Sequence, residues 1–121
     1  MENLDKIYSS VVNNTYGLSI GTIWQHVSIA CSEFSDDYLF KKNVFFDILA
    51  RLLNEYKIKL AANGKFWVGT IEEQLGMLQT AWPQYPSDDE DDDLDDYGMW
   101  FLVKAPAGVV WLTSDGRELW T

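Results

Sequence analysis

The feature that most constrains this chain is a run of acids. Between positions 88 and 96 stand Asp88, Asp89, Glu90, Asp91, Asp92, Asp93, Asp95 and Asp96. Like charges at this density repel one another and resist regular packing, so the segment splits the chain into two parts that must fold around it. It also carries most of the net charge. The chain holds 19 acidic residues against nine Lys and Arg, a formal charge of −10, and eight of the acids lie here. The other eleven nearly balance the nine bases. A near-neutral body thus bears one strongly negative segment. It lacks the basic face that releases counterions from phosphates, and it gives an anionic membrane surface nothing to hold. Neither direct nucleic-acid binding nor membrane binding is expected. A cationic partner is the natural complement, and such a field speeds association most at low salt.

At 121 residues the chain is long enough for one domain with one apolar core. We read residues 1–121 as a single domain with an acidic loop at 83–97 inside it. Cys31 is the one cysteine, which excludes an internal disulfide and a multi-cysteine zinc cluster. That usage fits a reducing compartment. The first residues show no basic stretch followed by an apolar one, so no secretory leader is expected. No apolar run reaches the roughly 18 residues of a membrane helix. A cytoplasmic protein is expected.

Apolar spacing of three and four marks the helices. Leu4, Ile7, Tyr8, Val11 and Val12 form one stripe, closed by Gly17. Ser19 caps a second helix with Ile20, Ile23, Trp24, Val27 and Cys31 on one face, and Gly21 weakens it. Ser35-Asp36-Asp37 opens a third, carrying Phe40, Val44, Phe45, Ile48, Leu49, Leu52, Leu53 and Tyr56. Thr70 and Glu73 make a capping box for a fourth with Ile71, Leu75, Leu78 and Trp82, stopped by Pro83. Between the third and fourth helices, residues 58–68 read either as a short hairpin about Asn63-Gly64 or as a helical turn followed by a loop. After the acids, Gly98–Val103 is apolar throughout and suits a central strand. Val109–Thr113 and Arg117–Trp120 follow as strands across turns at Ala105–Gly108 and Ser114-Asp115-Gly116. The expected class is α+β, with about four N-terminal helices packed on a C-terminal three-stranded antiparallel meander.

Catalytic chemistry finds little purchase. His26 is the one histidine, and a nucleophile pair would have to use it. Cys31, on the apolar face of the same helix, reads as a small hydrophobe. An EF-hand starting at Asp93 places Asp95 and Gly98 correctly. It then puts Tyr97 where an Asp or Asn belongs and Lys104 where the bidentate Glu belongs. Crowded carboxylates in a polar loop also lack the two separated pKa values of paired-acid hydrolysis. No phosphate-binding glycine loop is present. We expect no enzyme, no cofactor and no metal. Trp67, Trp111 and Trp120 are candidates for an exposed aromatic platform, but base stacking on it would want positive charge.

The acidic run has two readings: a solubilising linker, or a binding surface. Its internal position and its flanking aromatics, Trp82 and Tyr85 before and Tyr97 and Trp100 after, favour binding. Trp82 and Trp100 are expected to belong to the core. The candidate partner-binding set is Tyr85, Asp88, Asp89, Glu90, Asp91, Asp92, Asp93, Asp95, Asp96 and Tyr97, the acids steering from a distance and the two tyrosines anchoring at contact.

Several segments carry a likeness. They are Tyr16-Gly17-Leu18-Ser19, Lys57-Ile58-Lys59-Leu60-Ala61 with Gly64-Lys65-Phe66, and Glu72-Glu73-Gln74. To these add Tyr97-Gly98-Met99-Trp100-Phe101, Val110-Trp111, Asp115-Gly116 and Trp120. Across nearly the whole chain this resembles a family of small acidic bacterial proteins, a domain of unknown function, that includes immunity proteins of contact-dependent growth inhibition systems. The resemblance implies a protein that binds and neutralises the C-terminal toxin domain of a neighbouring cell's effector, commonly a nuclease and often an RNase acting on tRNA. It brings no residue-level binding motif. A nuclease groove is basic, so an acidic protein can occlude it without chemistry. The rival expectation is an interaction or regulatory module whose acidic loop is only a linker.

Overall fold

The computed structural model describes the chain except residues 1, 85–88 and 96–97, with residues 2 and 3 described for backbone only. The elements run α1 (Glu2–Thr15), α2 (Ile20–Cys31), α3 (Tyr38–Asn54), β1 (Ile58–Ala62), β2 (Lys65–Phe66), α4 (Ile71–Ala81), a 3-10 turn (Glu90–Asp92), α5 (Met99–Val103), β3 (Gly108–Leu112) and β4 (Glu118–Trp120). The class is α+β, as expected: mostly N-terminal helices and an antiparallel sheet.

The amphipathic stripes become the core. All five predicted residues of α2 are buried, and α3 buries Val44, Phe45, Ile48, Leu49, Leu52 and Leu53 as read, with Phe46 in addition. The caps form where their chemistry allows. Ser19 accepts from the Thr22 amide, Asp37 from Phe40, and Thr70 and Glu73 close their reciprocal box. Tyr56 departs from the helical reading. Helix α3 ends at Asn54 in a Schellman arrangement, with Lys57 N donating to Leu52 O and Tyr56 N to Leu53 O. Tyr56 takes the left-handed position (φ 58°) and points its ring into solvent.

The hairpin alternative holds at residues 58–68. Asn63 (φ 55°) and Gly64 (φ 77°) are both left-handed, as a type I′ turn demands, and Ala61 pairs with Phe66. The sheet has four strands in the order β2-β1-β3-β4, all antiparallel. Strand β1 reaches β3 only after α4, the acidic segment and α5. Register separates the faces. Ile58 opposes Trp111, and both are buried against the helices. Lys59, Val110 and Trp120 are in line on the other face.

Two expectations are corrected here. Gly98–Val103 is not a strand: Gly98 is left-handed (φ 64°) and Met99–Val103 is a short helix. The sheet is therefore not the expected three-stranded meander: it takes two strands from the 58–66 hairpin, and β1 rather than β2 pairs with β3. Trp67, Trp111 and Trp120 also form no common platform. Trp111 is fully buried and donates from Nε1 to Leu18 O (2.9 Å), while Trp120 stacks on Phe66 at 5.2 Å. Opposite parity along the strands forces this separation.

Beneath α5 lies an aromatic cluster. Trp24, Phe45, Trp82, Trp100 and Phe101 meet at ring-centroid distances of 5.1 to 6.3 Å, mostly in the edge-to-face and tilted geometries that ring quadrupoles favour. Trp82 and Trp100 are buried, as expected. Gly21 explains itself here. A Cβ at that position would stand 3.2 Å from Phe101 Cβ, so its absence lets α5 lie close to α2.

Candidate protein-binding face

A polyacidic strand of chain should stay solvated, yet the described part of this one is folded against the body. The anchor is apolar. Leu94, in the middle of the run, is buried with the core. Two hydrogen bonds flank it. The Trp100 amide donates to Asp93 O (2.8 Å), and the Trp24 indole Nε1 donates to Asp95 Oδ1 (2.8 Å). Asp89 caps the 3-10 turn by accepting from the Asp91 amide at 2.9 Å, and Asp93 accepts from the Asp95 amide at 3.0 Å. These carboxylates spend their charge on backbone donors, which lowers the cost of crowding them.

The remaining repulsion is met by Lys104. Its ammonium donates to Asp89 Oδ2 and Asp92 Oδ1, both at 2.8 Å. The two carboxylates raise the lysine above its ordinary range, and Lys104, followed by the Asp91 amide, lowers Asp89. Lys104 sits at the C-cap of α5, where the helix dipole also favours a cation. A residue that disqualified the calcium loop in the sequence is thus the clamp of the acidic segment.

The predicted partner-binding residues fall into three groups. Asp89, Asp92, Asp93 and Asp95 are used internally, as described. Glu90 and Asp91 make no ion pair among the described residues, and Glu90 is exposed. Tyr85, Asp88, Asp96 and Tyr97 lie outside the described residues.

Sequence reasoning missed Leu94, Lys104 and the outer side of α5. In a buried central strand Leu102 and Val103 would be covered. On this helix they are 77% and 56% exposed. The face therefore carries two aliphatic side chains on α5, next to a packed acidic turn. The one available signal was Leu94 itself, a lone large hydrophobe in a run of acids.

Other candidates are less equipped. Cys31 is fully buried, and burial pushes its thiol up, away from the thiolate a nucleophile needs. His26 lines a groove of about 280 Å3 between α1 and α2 with Lys6, Ser10 and Glu33. Among the described residues no three His, Cys, Asp or Glu side chains group as metal ligands, and no helix is long and apolar enough to cross a membrane.

Helices packed on one face of a four-stranded antiparallel sheet, with an acidic segment clamped beside a short helix, define an α+β protein with one built acidic face. The chain belongs to the family described as protein of unknown function, DUF596, whose match spans residues 53–121. That span takes in the whole sheet, α4, the acidic segment and α5. The chain is also similar to a solved structure, an uncharacterized protein conserved in bacteria, from Neisseria meningitidis. The two are 29% identical with a TM-score of 0.78, over 98% of this chain and 87% of that one. No curated protein matches.

Proposed function

We propose that this is an immunity protein. It binds the C-terminal toxin domain of a contact-dependent growth inhibition effector, a basic nuclease, in the cytoplasm, and neutralises it by occlusion without catalysis. The observation that carries this reading is the packing of the acidic segment. A linker that served only solubility would have no use for a buried Leu94, an indole bond to Asp95 or a lysine clamp. These hold Glu90 and Asp91 at fixed positions on the folded body. Fixed charge beside exposed aliphatic side chains is the anatomy of a protein interface, with charge at the rim setting rate and apolar contacts setting lifetime. The sequence resemblance to a family that includes immunity proteins is in keeping with the same reading.

Excising the acidic segment is a poor test, because Leu94 and the Asp95 bond leave with it. Co-expression with a basic nuclease toxin domain of the proposed kind is a better one. The two proteins are expected to purify as a complex, and the producing cells to survive. Free toxin activity in the presence of excess protein contradicts the proposal.

A further inference from the structure

The groove of about 280 Å3 between α1 and α2 is lined by none of the acidic segment. Its lining is mostly apolar. Ile7 of α1 is buried in the core, and Ala30 of α2 is half-buried. Ile29 and Phe34 complete the apolar part with 68% and 47% of their surface still exposed. Spacing of three and four puts His26, Ile29 and Ala30 on one face of α2. The turn after that helix is fixed as well. The amides of Phe34 and Ser35 both donate to Cys31 O at 2.8 Å, which holds Glu33 and Phe34 at the end of the groove wall.

Two opposite charges front this apolar lining, Lys6 from α1 and Glu33 from the turn after α2. Among the described residues they pair neither with each other nor with any third group. His26 and Ser10 add hydrogen-bonding atoms to the same lining. This combination selects among ligand chemistries. A wholly apolar molecule leaves both charges idle. An apolar acid gains Lys6 and meets Glu33, and an apolar amine gains Glu33 and meets Lys6. A molecule that carries both charges on one small head, with an apolar group attached, satisfies every part. The size agrees, since the volume stands at the lower end of the roughly 300–1,000 Å3 of small-molecule sites.

We propose that the groove between α1 and α2 binds a free amino acid with a large apolar side chain. Lys6 holds the ligand's carboxylate and Glu33 its ammonium. The side chain lies on Ile7, Ile29 and Ala30 with the Phe34 ring beside it, and gains the burial that these exposed surfaces lack. The site goes beyond the immunity reading and does not rest on it, because it shares no residue with the acidic segment or α5. Either can fail alone.

The test titrates the whole protein, isotopically labelled, with L-phenylalanine into the millimolar range. Three controls each remove one part of the ligand: phenylalanine amide lacks the carboxylate, N-acetylphenylalanine lacks the ammonium, and glycine lacks the side chain. Amide signals of residues 6–10 and 26–34 are expected to shift with phenylalanine and to stay in place with glycine. Each blocked form is expected to bind about threefold or more weakly, the scale of one solvent-exposed ion pair. Lys6→Gln and Glu33→Gln, both at exposed positions, leave the fold intact. Lys6→Gln is expected to bind phenylalanine and its amide equally. Glu33→Gln is expected to bind phenylalanine and its N-acetyl form equally. A merely apolar groove would move none of these ratios. No shift with phenylalanine, equal shifts with glycine, equal affinity of the native protein for phenylalanine and either blocked form, or unchanged ratios in the two variants overturn the proposal.

Discussion

Glu55 shows how much one side chain can join at the surface. Its carboxylate accepts from Arg51 Nε at 3.0 Å and from the Tyr8 hydroxyl at 2.8 Å, and it pairs with Lys57 at 3.2 Å. Arg51 lies 3.8 Å from the Tyr8 ring centroid and reaches Asp5 at 2.9 Å, so α1, the end of α3 and the approach to β1 share one network. The Arg51 bond, then that of Tyr8, lowers the Glu55 pKa to about 2 from an ordinary 4.5. A carboxylate depressed in the folded state adds stability that is complete above the unfolded value and fades as pH falls toward the folded one. Stability should therefore drop between pH 4.5 and pH 2 more steeply in the native protein than in Glu55→Gln. Urea unfolding across that range reads the difference. The effect is modest, because solvent screens the pair. Tyr56, next in the chain, offers the opposite test. A non-glycine residue in the left-handed region costs about 1–2 kcal/mol. The exposed ring gives up little burial in return. Tyr56→Gly should raise stability by about 1 kcal/mol in chemical unfolding.

Elements differ in how openly the chain announces them. Helix α2 was legible to the residue, because one apolar stripe between a serine cap and polar neighbours admits a single period. The 58–68 hairpin was half legible: Asn63-Gly64 marked the turn, but short flanks could not separate strand from helix. Gly98–Val103 was misread for a physical reason. A run that is apolar throughout has no period, and its conformation is set by partners elsewhere, namely the bond from Trp100 N to Asp93 O and the close fit of Phe101 on Gly21. The site divides the same way. Its charge was plain in the sequence. The clamp was not, since Lys104 meets Asp89 and Asp92 across 15 and 12 positions.

Two substitutions probe elements directly. Gly76, inside α4, has nothing within 4 Å of where a Cβ would stand. Gly76→Ala should therefore stabilise by about 0.5–1 kcal/mol, the gain in helix propensity alone, read as a higher unfolding midpoint. Leu94→Ala should cost about 2–3 kcal/mol through lost burial and the void left behind. It should also speed hydrogen exchange at the Trp100 amide, whose bond to Asp93 depends on the anchored segment.

At the scale of the whole molecule, charge and fold are arranged against each other. A body close to neutral carries nearly all its net charge in one segment, and aromatic packing beneath α5 keeps that segment in place. Gathering the charge into one segment does little for stability, because exposed charges are screened by solvent. Under the proposed function, a field with a fixed origin orients an approaching cationic partner and accelerates encounter before any contact forms. In the same proposal the exposed aliphatic side chains of α5 govern how long contact lasts. The two rates then separate: charge belongs to association, apolar surface to dissociation.

The most direct test follows association of a basic nuclease toxin domain, the partner proposed above, over a range of salt, with the native protein and with the Glu90→Gln, Asp91→Asn double variant. Slower association of the variant at low salt, convergence of the two at high salt, and little change in dissociation are expected. Equal association rates at every salt concentration would contradict that role for the charge.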